Sequence, residues 1–368
     1  LTGELTYGGH VTKRGQDAWA SKINEEGGIE INGQKYKVEL VYGDAQSDPS
    51  VGADAAERLI TEEKVDFLFG PYSSSVTLGV APIADKYKIP LISGSAESPL
   101  IWEQQFEYTF GILPPVNLFL IKGGLNTLLT EVEPAPTSIF IVGTDDAFSK
   151  AGAESAKVFA EENGVDVVGY EIVPKGIDYM PIVMKAKTAN PDVYLVSAHI
   201  IDHLENAKAA KEANFNPKAF LFHYGLTATD FYVELGEDSE YMFGSAVWAP
   251  ELDFPCPLFG NTAGYVEHFQ KLYNSIPDYT ECSTAAIGIV CTAALQQMGA
   301  TPPLTAEQKE QLKEVLEEIE VTTCFGRTKF ETEGEFYHCN TGVTSLAMQI
   351  QDGKPVVVGP ADIKLADP

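Results

Sequence analysis

Over most of the chain, short apolar runs of four or five residues alternate with longer stretches whose apolar positions recur at helical spacing. Residues 65–99, VDFLFGPYSSSVTLGVAPIADKYKIPLISGSAESP, show the pattern best. The run 65–69 is cut by Gly70-Pro71, and three serines follow. Val76, Val80, Ile83, Ala84 and Tyr87 then share one helical face, and a second run, 89–92, ends in a Ser/Gly-rich loop. This spacing predicts a strand–loop–helix–strand unit whose crossover is long enough for parallel strands. In such sheets ligands gather outside the carboxyl ends of the strands. Both small-residue loops, 72–75 and 93–98, fall at that edge. Ser73, Ser74 and Ser75 open the predicted helix, where free N–H groups and the dipole favour an anion. Two readings compete there: capping alone, or capping combined with carboxylate binding.

Elsewhere the pattern predicts a Gly/Thr loop over 1–10, a helix over 11–26 stopped by Gly27-Gly28, and an Asn32-Gly33 turn into a strand over 37–42. A loop over 44–49 and a helix reaching Lys64 follow. After Pro114-Pro115 the pattern restarts. Helices are predicted over 117–130, 150–163, 180–189 and 202–213, interleaved with strands over 138–142, 165–173, 193–196 and 219–222. That alternation implies a second parallel sheet covered by helices on both faces. Beyond Trp248 the chain turns irregular, then shows helices over 262–274, 284–298 and 306–318 and terminal strands with turns at Glu333-Gly334 and Asp352-Gly353. The expected fold class is α/β with two lobes, each a mostly parallel sheet with helices on both faces. Lobe 1 is expected over 1–116 plus 250–325, lobe 2 over 117–249 plus 326–368, with a ligand cleft between them.

Composition narrows the function. The 368 residues suit about two domains. At 44% hydrophobic and 21% charged the chain is an ordinary globular one. No apolar run approaches the ~20 residues of a membrane span. No signal peptide is visible, so the chain reads as mature, trimmed or cytosolic. A net charge of −28 argues against nucleic acid and anionic membrane surfaces as partners. Any anionic ligand must therefore be held by local donors.

The five cysteines, all beyond residue 250, are too few for a disulfide scaffold. Cys324 and Cys339 flank a strand–turn–strand pattern and are expected to pair if the chain is exported. Cys256 and Cys282 form a second candidate pair, and Cys291 lies in an apolar helical run as a buried thiol. No C-x-x-C occurs, so neither a zinc ribbon nor a thioredoxin-type centre is expected.

Enzyme motifs are missing: there is no G-x-G-x-x-G after a strand, no G-x-x-x-x-G-K-[ST] and no G-x-S-x-G. His199 and His203 have metal-like i, i+4 spacing with His223 nearby in sequence, but Ile200 stands where the H-E-x-x-H glutamate would be. No enzyme activity, cofactor or metal is expected.

In order along the chain, Leu1-Thr2-Gly3, INEEGGIEINGQKYKVELVYGDAQSDP (23–49), FGPYSSSVTLGVAPIADKYKIPLIS, YTFGILPP, GTDDAFSKAGAE and NPDVYLVSAHIIDHLENAKAAKEANF resemble the type I periplasmic solute-binding proteins. The match is to the branched-chain amino acid (Leu/Ile/Val) branch. The resemblance spans nearly the whole chain. It implies a Venus-flytrap fold with three crossovers, a periplasmic or extracellular location with a possible lipid-anchored precursor, a monomer, and delivery of a small molecule to an ABC permease. It also implies a central strand ahead of the first Thr-Gly loop, at which the sequence as given opens.

Carried over residue by residue, the resemblance puts Tyr72 and Ser73 at the ligand's α-carboxylate, with Ser74 beside them. Ser95 and Glu97 fall in the loop giving a second carboxylate contact and a carbonyl for the ammonium. Tyr7 matches a wall residue, and Phe148 stands where tyrosine is frequent. His199 and Tyr224 fall at second-lobe positions, with Trp248 a further lining candidate. For each aromatic residue, core packing is the competing reading. Two departures stand out. Tyr224 replaces a second-lobe glutamate that amino acid binders often carry, and Glu97 brings an acid where a small hydroxyl residue is usual. Either the acid has changed lobes or the ligand is not a simple α-amino acid. A sensory receptor on the same fold is the alternative function.

Overall fold

The computed structural model describes residues 1–368 as two compact units. The first comprises 1–114 and 250–343, the second 115–249 and 344–368. The return to the second unit thus follows Val343, not residue 325 as expected, and 326–343 belong to the first.

In the first unit Leu68–Phe69, Leu91–Ser93 and Thr109–Gly111 form a parallel three-stranded sheet in that order. The helix Ser74–Tyr87 makes the crossover between its first two strands. Two twenty-residue helices, Thr6–Glu25 and Tyr279–Met298, pack against each other. Glycines set how closely they approach. A Cβ on Gly15 would fall 2.2 Å from the Glu281 carbonyl oxygen, and one on Gly288 would fall 1.9 Å from the Trp19 ring.

The first helix begins at Thr6, so the second half of the expected loop over 1–10 is helical. Gly8 and Gly9 read as loop residues in sequence, but a Cβ on Gly8 would meet the Tyr72 ring at 2.2 Å. Packing space, not turn geometry, calls for glycine there.

Residues 37–42 alternate exposed and half-buried, the period of a strand, yet belong to no sheet. They line a cavity of about 540 Å³ that also touches Trp19, Leu68, Phe69, Val80 and Leu295. The preceding hairpin, Ile29–Ile31 with Gln34–Tyr36, does form. Asn32 and Gly33 both take positive φ in its two-residue turn.

The second unit is built on seven strands ordered Lys354–Gly359, Leu346–Gln351, Phe243–Ala246, Ala219–Phe222, Val193–Ser197, Ser138–Thr144 and Asp166–Val173. The last five run parallel and the first two are antiparallel additions. Val193–Ser197 and residues 139–144 are buried throughout, as continuous apolar runs in a doubly covered parallel sheet must be. Asp352 and Gly353, both at positive φ, turn the terminal hairpin as expected.

Several helices start earlier than apolar periodicity suggests: Ala147–Glu162 after Asp146, Ile200–Glu212 after His199, Tyr279–Met298 after Asp278. A first turn that ends in polar caps carries no periodic signal.

All five cysteines are buried and none is in a disulfide. Cys324 and Cys339 do not pair. The hairpin turns at Cys324-Phe325 itself, with Glu320–Thr323 pairing Gly326–Lys329. Cys339 lies in an apolar cluster with Ala96, Ile101 and Trp102 and donates to the Leu113 carbonyl at 3.3 Å. Cys291 is buried in its helix as expected.

Candidate functional site

Most candidate residues lie on loops or first helical turns that follow strand ends, with Tyr7 in the first turn of the helix Thr6–Glu25. In the first unit, Ser73 caps the helix Ser74–Tyr87 and accepts from the Val76 N–H at 3.4 Å. Its hydroxyl hydrogen is still available to a ligand oxygen. Ser74 has a different task. Its hydroxyl accepts from the backbone N–H groups of Glu97 and Ser98, at 3.2 and 3.1 Å, and so fixes the neighbouring loop. Ser93 supports the same loop by accepting from Ala96 N–H at 3.1 Å, and Ser95 shares a 3.0 Å hydrogen bond with Thr12. Ser74 and Ser95 thus hold the 93–98 loop to two helices. Tyr7 and Tyr72 are half-buried beside this region, Tyr72 packing where Gly8 leaves room.

Glu97 is the unusual member. It is only 2% exposed, Oε2 accepts from the Tyr279 hydroxyl at 3.3 Å, and Oε1 is buried with no partner. Burial drives its pKa well above the ordinary carboxylate value. The Tyr279 hydrogen bond opposes that rise and the nearby Asp278 adds to it. An acid in this state is neutral until a positive group arrives, and can donate as well as accept.

Apolar periodicity, which predicts this helix only from residue 284, does not reach Tyr279. The signal was there in D-Y-T-E: Asp278 and Glu281 form a capping box that starts the helix at Tyr279. Glu281 also holds Arg14 in a 2.5 Å ion pair, tying the start of its helix to the middle of Thr6–Glu25.

In the second unit Asp146 caps Ala147–Glu162, accepting from Phe148 and Ser149 N–H at 3.1 and 3.0 Å and from the Thr144 hydroxyl at 2.9 Å. His199 Nε2 lies 3.4 Å from its carboxylate. Burial alone would raise the Asp146 pKa, but His199 and the helix N–H groups hold it well below the ordinary range. The Phe148 ring centroid lies 5.4 Å from His199, 4.9 Å from His223 and 6.0 Å, edge-on, from Tyr224. Phe148, His199 and Tyr224, three residues singled out from sequence, therefore form one aromatic cluster. His223, which its sequence spacing suggests only as a metal ligand, completes it. Burial pushes its pKa down to about 3, so the ring is neutral, and its buried Nε2 has no partner. Trp248 is 1% exposed, just beyond the strand Phe243–Ala246.

The His199/His203 spacing does not build a metal site. His203 Nε2 accepts from the Ala198 N–H at 3.0 Å, and no group of three His, Cys, Asp or Glu side chains is arranged to hold an ion.

Two α/β units with ligand-type residues clustered on their strand-end loops define a solute-binding protein. The chain belongs to the periplasmic binding protein family, whose model matches residues 1–354. Within it the chain is similar to Leu/Ile/Val-binding protein homolog 7 of Brucella suis biovar 1 (strain 1330), with 25% identity over 98% of this chain and 89% of the relative. It is 24% identical to homolog 8 of Brucella abortus (strain 2308), over the whole of this chain and 90% of that one. Among solved structures, the fold matches the branched-chain amino acid transporter substrate-binding protein LivJ of Streptococcus pneumoniae, in complex with isoleucine. That match has a TM-score of 0.81 and 20% identity, and covers 98% of this chain and 97% of the other. It also matches an ABC transporter solute-binding protein of R. palustris in complex with benzoate, with TM-score 0.78, 17% identity and coverage of 100% and 95%. The expected type I α/β fold class is therefore the observed one, and the family is one of solute-binding proteins, not enzymes.

Proposed function

We propose that this chain captures a small carboxylate-bearing molecule, an amino acid or an aromatic acid, outside the cytoplasm and delivers it as a monomer to an ABC permease. Family membership supports that setting.

The observation that carries the ligand class is the pairing in the first unit of the Ser73 helix N-terminus with the buried, unpartnered Oε1 of Glu97. A helix N-terminus with a free hydroxyl hydrogen suits a carboxylate. A neutral buried acid suits an ammonium, which it meets by ionising, or a hydroxyl or amide, which it meets by hydrogen bonding. The Phe148 cluster of the second unit offers apolar ring faces, suited to an aliphatic or aromatic body. Tyr7 and Tyr72 in the first unit, and Tyr224 in the second, are proposed as ligand-wall residues of their own units. Asp146 is not a free counter-charge for an ammonium, because His199 and the helix cap engage it.

Mass spectrometry of whatever co-purifies, followed by a thermal-shift screen of amino acids and aromatic acids, tests the proposal. A ligand at 100 times its Kd adds about 2.7 kcal/mol, an easily read shift. Turnover of any hit in place of stoichiometric binding, or no hit among carboxylates, would overturn it.

A further inference from the structure

Three of the five thiols of the first unit converge. Cys256 lies in the strand Pro255–Cys256, which pairs with Gly260–Asn261 in a small hairpin. Cys324 lies at the turn between Glu320–Thr323 and Gly326–Lys329. Thr262 locks these pieces together. Its N–H donates to the Phe254 carbonyl at 2.9 Å, and its hydroxyl donates to the Cys324 carbonyl at 3.2 Å. The Phe254 ring covers Gly326, lying 3.4 Å from where a Cβ would stand. Cys282 comes from the first turns of Tyr279–Met298, a helix that packs on Glu320–Thr323. The thiol of Cys324 is hydrogen-bonded to both Cys256 and Cys282.

We propose that Cys256 and Cys324 form a disulfide under oxidising conditions, with Cys282 as a third thiol able to take the place of Cys256. The neighbouring prolines, Pro255 and Pro257, are exposed, so the Cys256 edge of the trio is the one nearest solvent. A small-molecule disulfide is the oxidant. The Cys256 sulfur attacks it and expels one thiol, and the Cys324 sulfur then attacks the Cys256 sulfur of the mixed disulfide and expels the second. Two protein thiols lose two protons and two electrons, and the small disulfide is reduced to two thiols. Burial raises the pKa of Cys324 and Cys282, and the hydrogen bond to Cys324 together with burial raises that of Cys256, which keeps the thiolate fraction of all three small. The bond is therefore a slow, structural one, not a catalytic one. Cys291 and Cys339 lie outside the trio and serve as internal controls.

The experiment incubates the full chain with oxidised glutathione, alkylates free thiols under denaturing conditions and maps peptides by mass spectrometry. The expected product links Cys256 to Cys324, leaves Cys282, Cys291 and Cys339 alkylated, melts several degrees higher than the reduced protein, and reverts on reduction. Cys282→Ser keeps that link. Cys256→Ser moves it to Cys282–Cys324. The proposal is overturned by five alkylated cysteines, by glutathione retained on Cys256 without a link, by a link through Cys291 or Cys339, or by a Cys282–Cys324 link in the unsubstituted chain. The unsubstituted chain decides the matter alone, should a variant fail to fold.

Discussion

The Tyr279 hydroxyl donates to Glu97 Oε2 at 3.3 Å across 182 residues of sequence. It joins the first residue of a helix formed after the chain returns to the first unit to a loop formed before it leaves. The same bond leaves the other Glu97 oxygen buried and unmatched, so Glu97 can respond to a bound charge.

A cationic ligand should release a proton when it binds. The raised Glu97 pKa keeps the carboxyl neutral in the free protein, and an ammonium selects the ionised form. Its affinity should then rise with pH until free Glu97 itself ionises, and level off above that. Calorimetry in two buffers of different ionisation enthalpy reads the proton directly. Glu97→Gln should abolish the release and weaken cationic ligands more than neutral ones. Equal weakening of both, or none, would place Glu97 outside the contact.

Ser73→Ala should act on binding and on folding by different amounts. Loss of a hydrogen bond to a charged carboxylate weakens binding by about 1.5–3 kcal/mol. Loss of the cap lowers stability by about 1 kcal/mol. Ser74→Ala should loosen the 97–98 backbone instead, detectable as faster amide exchange at Glu97 and Ser98. Titration calorimetry and thermal melting separate these effects. A Ser73→Ala protein with lowered Tm and unchanged affinity would leave the serine a cap alone.

Stability should peak on the acidic side of neutrality. Burial raises Asp278 from 3.8 to about 6, so the folded protein binds more protons than the unfolded chain between those values. Its contribution therefore falls as pH rises through that window and is flat above it. Asp146, with a depressed pKa, works oppositely: its contribution is present above the ordinary aspartate pKa and lost as pH drops below it. The Tm profile should thus be flat down to about pH 6, climb from there towards pH 4, and decline below about 4. Asp278→Asn keeps a capping side chain but removes the proton, and should flatten the upper limb by on the order of 1–3 kcal/mol.

Gly288→Ala should destabilise the first unit by about 1–3 kcal/mol, because its Cβ would enter the Trp19 ring and part the two long helices. Gly8→Ala should behave differently. Its Cβ would displace Tyr72, so ligand affinity should drop by a larger factor than stability does. A Gly8→Ala protein with native affinity would remove Tyr72 from the binding surface.

The sequence by itself determined the element types and their order. Alternation of apolar runs with helical spacing sets period and burial, and the restart after Pro114-Pro115 is readable without coordinates. Asn32-Gly33 and Asp352-Gly353 announced their hairpins, because positive φ at two successive residues is a local demand. Ser73, as a helix cap beside a strand end, was legible for the same local reason.

Long-range packing decided the rest. Residues 37–42 carry a strand's alternation but lie outside any sheet, since pairing depends on neighbours and not on the run itself. The first turns of the helices at Asp146 and Asp278 were invisible to apolar periodicity because polar caps start them. The Cys324–Cys339 expectation failed because Cys324 is itself a turn residue of its hairpin, a choice of register that alternation cannot express. Tyr279 against Glu97, His223 beside Phe148 and the three converging thiols join segments far apart in the chain. Their contacts depend on how whole elements dock, and local preferences along a sequence carry no record of that.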